Sequence, residues 1–393
     1  MLSEQADLNA GRSRQIWTRG RTGRYACRAG RAGLYDREDV MKRGGFLCGA
    51  VLLISAVLCS CGTERPDTSS VEPEKAELKP KIGIVFDSFV IERWERDRDI
   101  FTSTAKDLGA DVIVGNANGD VGEQKSIINH MIDSDVDVLV IVATDGGSLR
   151  KEISEARREG IRVISYDRLI QNADTDLYIT FDNETVGKFM ADAVNEAMPD
   201  GGSYVKVNGS PADYNVTLVN KGFDAEINDN LKMIDSISCD NWDDSIAYSY
   251  LTEHPEDVEN AGAIVCGNDA IAGQAVRVLA ERKKAGSVTV TGQDADLDAC
   301  QRIVEGTQTI TVYKPIEKLA EKAADYAVQM AKGKMPETDE TMSDGTYDVP
   351  YIAIQPVKVT KENMDSTVIA SGFHRKEDVY LHAQGIEDVL AGS

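Results

Sequence analysis

From residue 81 to residue 313 the chain alternates short, β-branched apolar runs with amphipathic stretches, a pattern that points to parallel α/β architecture. Strand-like runs occupy 81–86, 111–115, 136–143, 161–166 and 177–181, and helix-like stretches at 98–108, 123–132 and 148–159 separate the early ones. Val136-Asp137-Val138-Leu139-Val140-Ile141-Val142-Ala143 is nearly continuously apolar, as a strand buried on both faces requires. Strands joined through helices make right-handed βαβ units. The series then restarts. Runs at 203–207, 233–239, 263–267, 288–292 and 307–313 read as strands; 185–198, 214–230, 245–252, 270–282 and 316–330 read as helices. The expectation is a two-lobed α/β fold, each lobe a parallel sheet flanked by helices, with a ligand cleft between the lobes. The first lobe is expected to take 81–182 and roughly 316–350. The second takes 183–315 and roughly 351–393, with late strands at 351–355 and 357–360 tying the two together.

The first 60 residues lie outside this pattern. Residues 1–40 are rich in Arg and Gly and carry no apolar periodicity. Met41-Lys42-Arg43 opens a signal-peptide pattern, in which two cations precede an apolar run at 46–60 that is too short to span a bilayer comfortably. The run ends in Leu58-Cys59-Ser60-Cys61, which reads as a lipobox with Cys61 as the lipidated residue; a buried helix is the alternative, but the flanks fit export. Residues 1–60 are therefore expected to be an upstream extension plus a lipoprotein signal peptide, with Met41 as the true start. Residues 61–80, dominated by Thr, Ser, Pro, Glu and Lys, are expected to be a disordered tether that holds an exported domain off the membrane.

The formal charge is −23 at pH 7, and because residues 1–60 hold 10 Lys and Arg against 5 Asp and Glu, the remainder carries −28. Phosphate binding needs a basic face, so nucleic acid is excluded as a partner. Beyond Cys61 the cysteines are Cys239, Cys266 and Cys300. Their spacing matches no metal motif, and their apolar neighbours predict buried thiols, with one disulfide as the alternative.

The strand-like runs end repeatedly in charged, amide or aromatic clusters. Phe86 leads into Asp87 and Glu92-Arg93-Trp94, Ser165 into Tyr166-Asp167-Arg168, Gly267 into Asn268-Asp269, Gly292 into Gln293-Asp294, and Tyr313 into Lys314. Ligands of open α/β sheets bind outside the carboxyl ends of the strands, so these clusters predict one hydrogen-bonding cleft. Trp94 and Trp242 each stand among charges, which suggests rings presented to a ligand, since an aromatic face stacks on the C–H face of a sugar; a Trp capping a helix start is the alternative. Arg93 and Arg168 offer planar donors, Asp167, Asp213 and Asp294 acceptors, and Asn215 and Asn268 both. A sugar hydroxyl donates once and accepts twice, which is what such a mixed set serves. Each Asp could instead cap a helix, Asp269 especially. Lys314, before Pro315, sits where a strand gives way to a helix and where a chain crossing between lobes could touch ligand. The sequence carries no Gly-x-Ser-x-Gly, Walker loop or early Gly-x-Gly-x-x-Gly, and no His/Cys/carboxylate cluster with metal spacing, so no catalytic residue, metal or cofactor is expected.

These residues closely resemble the periplasmic D-xylose-binding proteins, the solute receptors of ATP-driven xylose importers. The resemblance spans most of 81–380. It rests on Glu92-Arg93-Trp94-x-x-Asp97-Arg98-Asp99-Ile100-Phe101, Tyr166-Asp167-Arg168, Phe181-Asp182-Asn183-Glu184, Gly209-Ser210-Pro211-Ala212-Asp213, Gly292-Gln293-Asp294-Ala295-Asp296-Leu297 and Thr311-Val312-Tyr313-Lys314-Pro315. It implies a periplasmic-binding-protein fold. It also implies monosaccharide contacts at Arg93, Trp94, Asp167, Arg168, Asp213, Asn215, Trp242, Asn268, Asp294 and Lys314, and a monomer that serves the permease subunits of an ABC importer. A receptor feeding a histidine kinase or chemoreceptor is the alternative role. A sugar-responsive repressor would need a basic helix-turn-helix before residue 80, and a glycosidase would need a tuned carboxylate pair; neither pattern is present.

Overall fold

The computed structural model describes residues 79–383. The expected leader, Cys61 and nearly all of the 61–80 tether lie outside the described residues.

The first lobe is built on β1 (Lys81–Phe86), α1 (Arg93–Asp107), β2 (Asp111–Asn116), α2 (Val121–Asp133), β3 (Val138–Ile141), α3 (Arg150–Arg158), β4 (Arg162–Tyr166) and β5 (Leu177–Phe181). The second takes α4 (Asn183–Ala197), β6 (Gly202–Asn208), α5 (Tyr214–Glu226), β7 (Leu231–Ser238), α6 (Ser245–Glu253), α7 (Pro255–Asn260), β8 (Ala263–Cys266), α8 (Asp269–Glu281), β9 (Thr289–Thr291), α9 (Leu297–Glu305) and β10 (Thr311–Tyr313). The chain returns through α10 (Ile316–Ala331), β11 (Thr341–Ser343), β12 (Asp348–Ile354), β13 (Val357–Val359) and α11 (Lys376–Val379).

One sheet runs β11-β12-β5-β4-β3-β1-β2 and the other β7-β6-β8-β9. All pairs are parallel except β11 with β12, and β13 with β10. A bridge from Thr291 to Ile310 attaches β10 beside β9. The period-2 alternation of a strand explains the cores. Ile82, Ile84, Phe86, Val138 and Val140 pack with α1 and α10, while Val85, Leu139 and Ile141 face α2 and α3.

The expected assignment of the tail from 351 onward to the second lobe is corrected. β12 pairs in parallel with β5 at Tyr351–Tyr178 and Ile354–Phe181, so it belongs to the first sheet. Its backbone satisfies the open edge of β5. β13 does join β10 in the second lobe. Beyond it, Met364, Val368, Phe373 and Val379 share a core with α1, α10 and with Cys300, Ile303 and Val304 of α9, so the tail packs on both lobes. The chain therefore crosses between lobes at 182, 314–315 and 355–356.

Two local devices fix the second lobe's helices. Asp182 caps α4 by accepting from the Thr185 N–H at 3.0 Å. Gly187 on α4 and Gly222 on α5 lie so close to the facing backbone, Val219 O and Glu184 O respectively, that a Cβ at either would collide. The pair lets α4 and α5 touch and places the start of α5 at the cleft.

Candidate functional site

Of the ten residues singled out by sequence, all but Asn268 line one inner chamber between the lobes, together with Ile91, Val216 and Gln293. Arg93 and Trp94 open α1, and Asp167 and Arg168 follow β4. Asp213 caps α5 and Asn215 lies in its first turn. Trp242 closes a 3-10 turn at Asp240–Trp242, and Asp294 and Lys314 follow β9 and β10. Asn268 stands apart because its side-chain oxygen caps α8, accepting from the Ile271 N–H at 3.0 Å. It lines an outer cavity of about 500 Å³ beside Trp242 and Glu92. Both tryptophans are buried, at 1% and 8% exposure, and line the chamber, while their charged sequence neighbours Glu92, Glu95, Asp240 and Asp243 are exposed.

The chamber is filled by its own charges. Arg93 Nη2 donates to Asp167 Oδ2 at 2.5 Å, and Arg93 Nε lies 3.7 Å from Asp294 Oδ1. Arg168 Nη1 donates to Asp87 Oδ2 at 2.8 Å and to the Ala143 carbonyl at 3.0 Å, while its Nε stands 2.9 Å from Asp213 Oδ2 without hydrogen-bond alignment. Lys314 Nζ sits 3.1 Å from Asp294 Oδ1. Asn215 Nδ2 donates to the Asp167 carbonyl at 3.0 Å. Several of these pairs join the two lobes: Arg93 with Asp294, Arg168 with Asp213, Asp167 with Asn215. The Arg93 guanidinium lies 3.8 Å from the Trp94 ring centroid. The free volume left is about 20 Å³, room for one water. A ring-sized ligand must therefore take the place of protein–protein contacts.

Backbone strain concentrates here. Asp167 (φ 63°), Trp242 (φ 59°) and Asp294 (φ 94°) all occupy the left-handed region, which costs a non-glycine residue about 1 kcal/mol or more and which persists where surroundings impose it. Gly209 completes the Trp242 seat, because a Cβ there would strike the indole ring.

A family model described as a periplasmic binding protein domain matches residues 82–335. The chain belongs to the periplasmic binding protein family. The D-xylose-binding periplasmic protein of Haemophilus influenzae is 44% identical over 316 residues, covering 76% of this chain and 92% of its own length. Its Escherichia coli counterpart is 41% identical over 308 residues, with 76% of this chain and 92% of its own covered. A solved carbohydrate-transporter solute-binding protein from Chloroflexus aurantiacus, in complex with D-glucose, superposes with a TM-score of 0.70 at 27% identity and covers 76% of this chain and 98% of that one.

In this periplasmic binding protein burial and opposite charges act against each other on the chamber's Arg and Asp groups. Burial alone would lower the pKa of Arg93, but Asp167, Asp97 and Asp294 outweigh it and the net shift is upward. Arg168 is raised in the same way, against its burial, by Asp213 and Asp87. Burial would raise Asp167, yet Arg93, Lys314 and Arg168 hold it below the usual carboxylate range. Asp213 goes the other way, because burial exceeds the help of Arg168.

Several site residues were not found from sequence. Asp97 is fully buried beneath Arg93, accepts from its Nη1 at 3.3 Å and is hydrogen-bonded by the Tyr166 hydroxyl. The i, i+4 spacing from Arg93 on one helix was the available signal. Tyr178, also buried, places its hydroxyl 3.0 Å from Asn215 Oδ1, across the lobes, and 3.2 Å from the Asp167 carbonyl within its own lobe. Among the described residues no group of His, Cys, Asp and Glu converges as metal ligands. Cys239, Cys266 and Cys300 are free and buried.

Proposed function

We propose that this chain is the extracytoplasmic sugar receptor of an ABC-type importer and that the inner chamber binds D-xylose. The chamber's make-up carries the reading: two buried indoles among mutually paired Arg, Lys and Asp side chains, with the Asn215 carboxamide beside them. The names of the relatives at 44% and 41% identity support the choice of pentose.

Sugar enters between opened lobes. On closure, its hydroxyls replace the cross-lobe partners of Arg93, Arg168, Asp213 and Asp294 while Trp94 and Trp242 cover its apolar faces. Because the ligand contacts both lobes only when they meet, it shifts the population towards the closed form. Permease subunits then read that form. Cys61 carries the lipid that anchors the exported monomer to the membrane, and 61–80 is its tether. A thermal-shift panel of pentoses and hexoses on the full chain tests the sugar assignment, with D-xylose expected to give the largest rise. Equal, null shifts across the panel would overturn it.

A further inference from the structure

We propose that Gln293 is a sugar-contacting residue whose side-chain oxygen accepts a hydroxyl proton of the bound ring. The proposal rests on the sugar-binding reading above. Gln293 is 4% exposed and lines the inner chamber. Its Nε2 donates to the Gly267 carbonyl at 2.5 Å, and its backbone carbonyl accepts from the Asp269 N–H at 3.1 Å. A carbonyl can be met only by the NH₂ of the carboxamide, so the side-chain orientation is fixed and Oε1 is the atom left over. That oxygen is enclosed and has no protein hydrogen-bond partner.

The balance of donors and acceptors gives this its weight. Enclosed chamber atoms without a hydrogen-bond partner include five donors: Arg93 Nε, Arg168 Nε and Nη2, Trp94 Nε1 and Trp242 Nε1. The acceptors are two, Asp294 Oδ1 and Gln293 Oε1. Asp294 Oδ1 already has Lys314 Nζ at 3.1 Å. Every sugar hydroxyl brings a proton that needs an acceptor once buried. Gln293 supplies a neutral one that no cation competes for, on a loop held rigid by Gly267 and Asp269. A left-handed turn at Asp294 and Ala295 (φ 94° and 56°) directly follows it.

The test is a cycle between protein and ligand. The full-length wild type and Gln293→Met are titrated calorimetrically with D-xylose and its monodeoxy analogues. Wild type is expected to lose about tenfold in affinity for each deoxy sugar whose hydroxyl it contacts. In Gln293→Met, one particular deoxy sugar should show no further loss, while the others keep theirs. Losses that stay additive for every analogue would make Gln293 a mere tie between loops and overturn the proposal. If the Met variant does not fold, a crystal structure of the wild-type xylose complex decides. A sugar oxygen within hydrogen-bond distance of Oε1 supports the contact, and none within reach refutes it. Wild type that binds no sugar would instead remove the functional reading beneath it.

Discussion

Replacing Arg168 by Lys separates charge from geometry at the heart of the chamber. Arg168 is 3% exposed and holds Asp87 with Nη1, while Nε and Nη2 have no aligned protein acceptor. Those two nitrogens are the donors available to hydroxyls. A hydrogen bond to a charged group contributes about 1.5–3 kcal/mol, so losing two aimed donors, partly offset by the single ammonium, costs about 3 kcal/mol. That is about a hundredfold in Kd. Arg168→Ala is less informative. It strands Asp87 and Asp213 in the interior without their cation, a stability loss of about 3–5 kcal/mol that would mix folding with binding. Lysine keeps one buried cation near both carboxylates. Calorimetry with D-xylose, run beside a thermal melt, should show the hundredfold loss in a folded protein. A folded Arg168→Lys that binds within threefold of wild type would show that the fork geometry is irrelevant and refute the reasoning.

Three further outcomes follow from the same contacts. Tyr178→Phe removes a hydroxyl that links the lobes outside the chamber lining, so it should weaken every sugar by the same factor, about fivefold; sugar-dependent factors in parallel titrations would contradict this. Gly209→Ala pushes a Cβ into the Trp242 ring and should cost about tenfold in xylose affinity with a change in tryptophan fluorescence, whereas unaltered emission and binding would mean that the indole moves freely. Burial pushes the Asp97 carboxyl up to about 7, against an ordinary value of 3.8. Between those values the folded chain holds a proton that the unfolded chain releases, so this group's contribution to stability falls as pH rises and is flat above about 7. The Tm of Asp97→Asn minus that of wild type should therefore grow from about pH 4 to about pH 7 and then level off; a difference constant across that range would show that Asp97 does not titrate there.

The lobes were legible because parallel strands buried on both faces leave unbroken apolar runs, as at Val138–Ile141, and because helices between them keep an amphipathic period. Boundaries drifted at charged helix starts: α1 begins at Arg93 rather than near 98, without a side-chain cap and with Arg93, Trp94 and Asp97 buried among its opening residues. From sequence no helix is assigned to Leu297–Glu305, although its apolar residues recur at helical spacing and Gly306 (φ 86°) ends it. The lobe membership of β12 was not legible, because which edge a late strand completes depends on the whole sheet. In the site, polar residues at strand ends were readable one by one. Their pairing was not. Asp tolerates a left-handed backbone and Trp rarely does, but the sequence does not show that Asp167, Trp242 and Asp294 adopt one. Gln293 stood in the sequence beside Asp294, but only the hydrogen bond to Gly267 shows which of its atoms remains free.

Isothermal titration of the full chain with D-xylose addresses the central claim most directly. A chamber that exchanges its ion pairs for sugar hydroxyls predicts single-site binding with Kd in the micromolar range or tighter, lost in Arg168→Lys. No measurable heat with D-xylose or with any other pentose or hexose, from a protein shown to be folded, would contradict it.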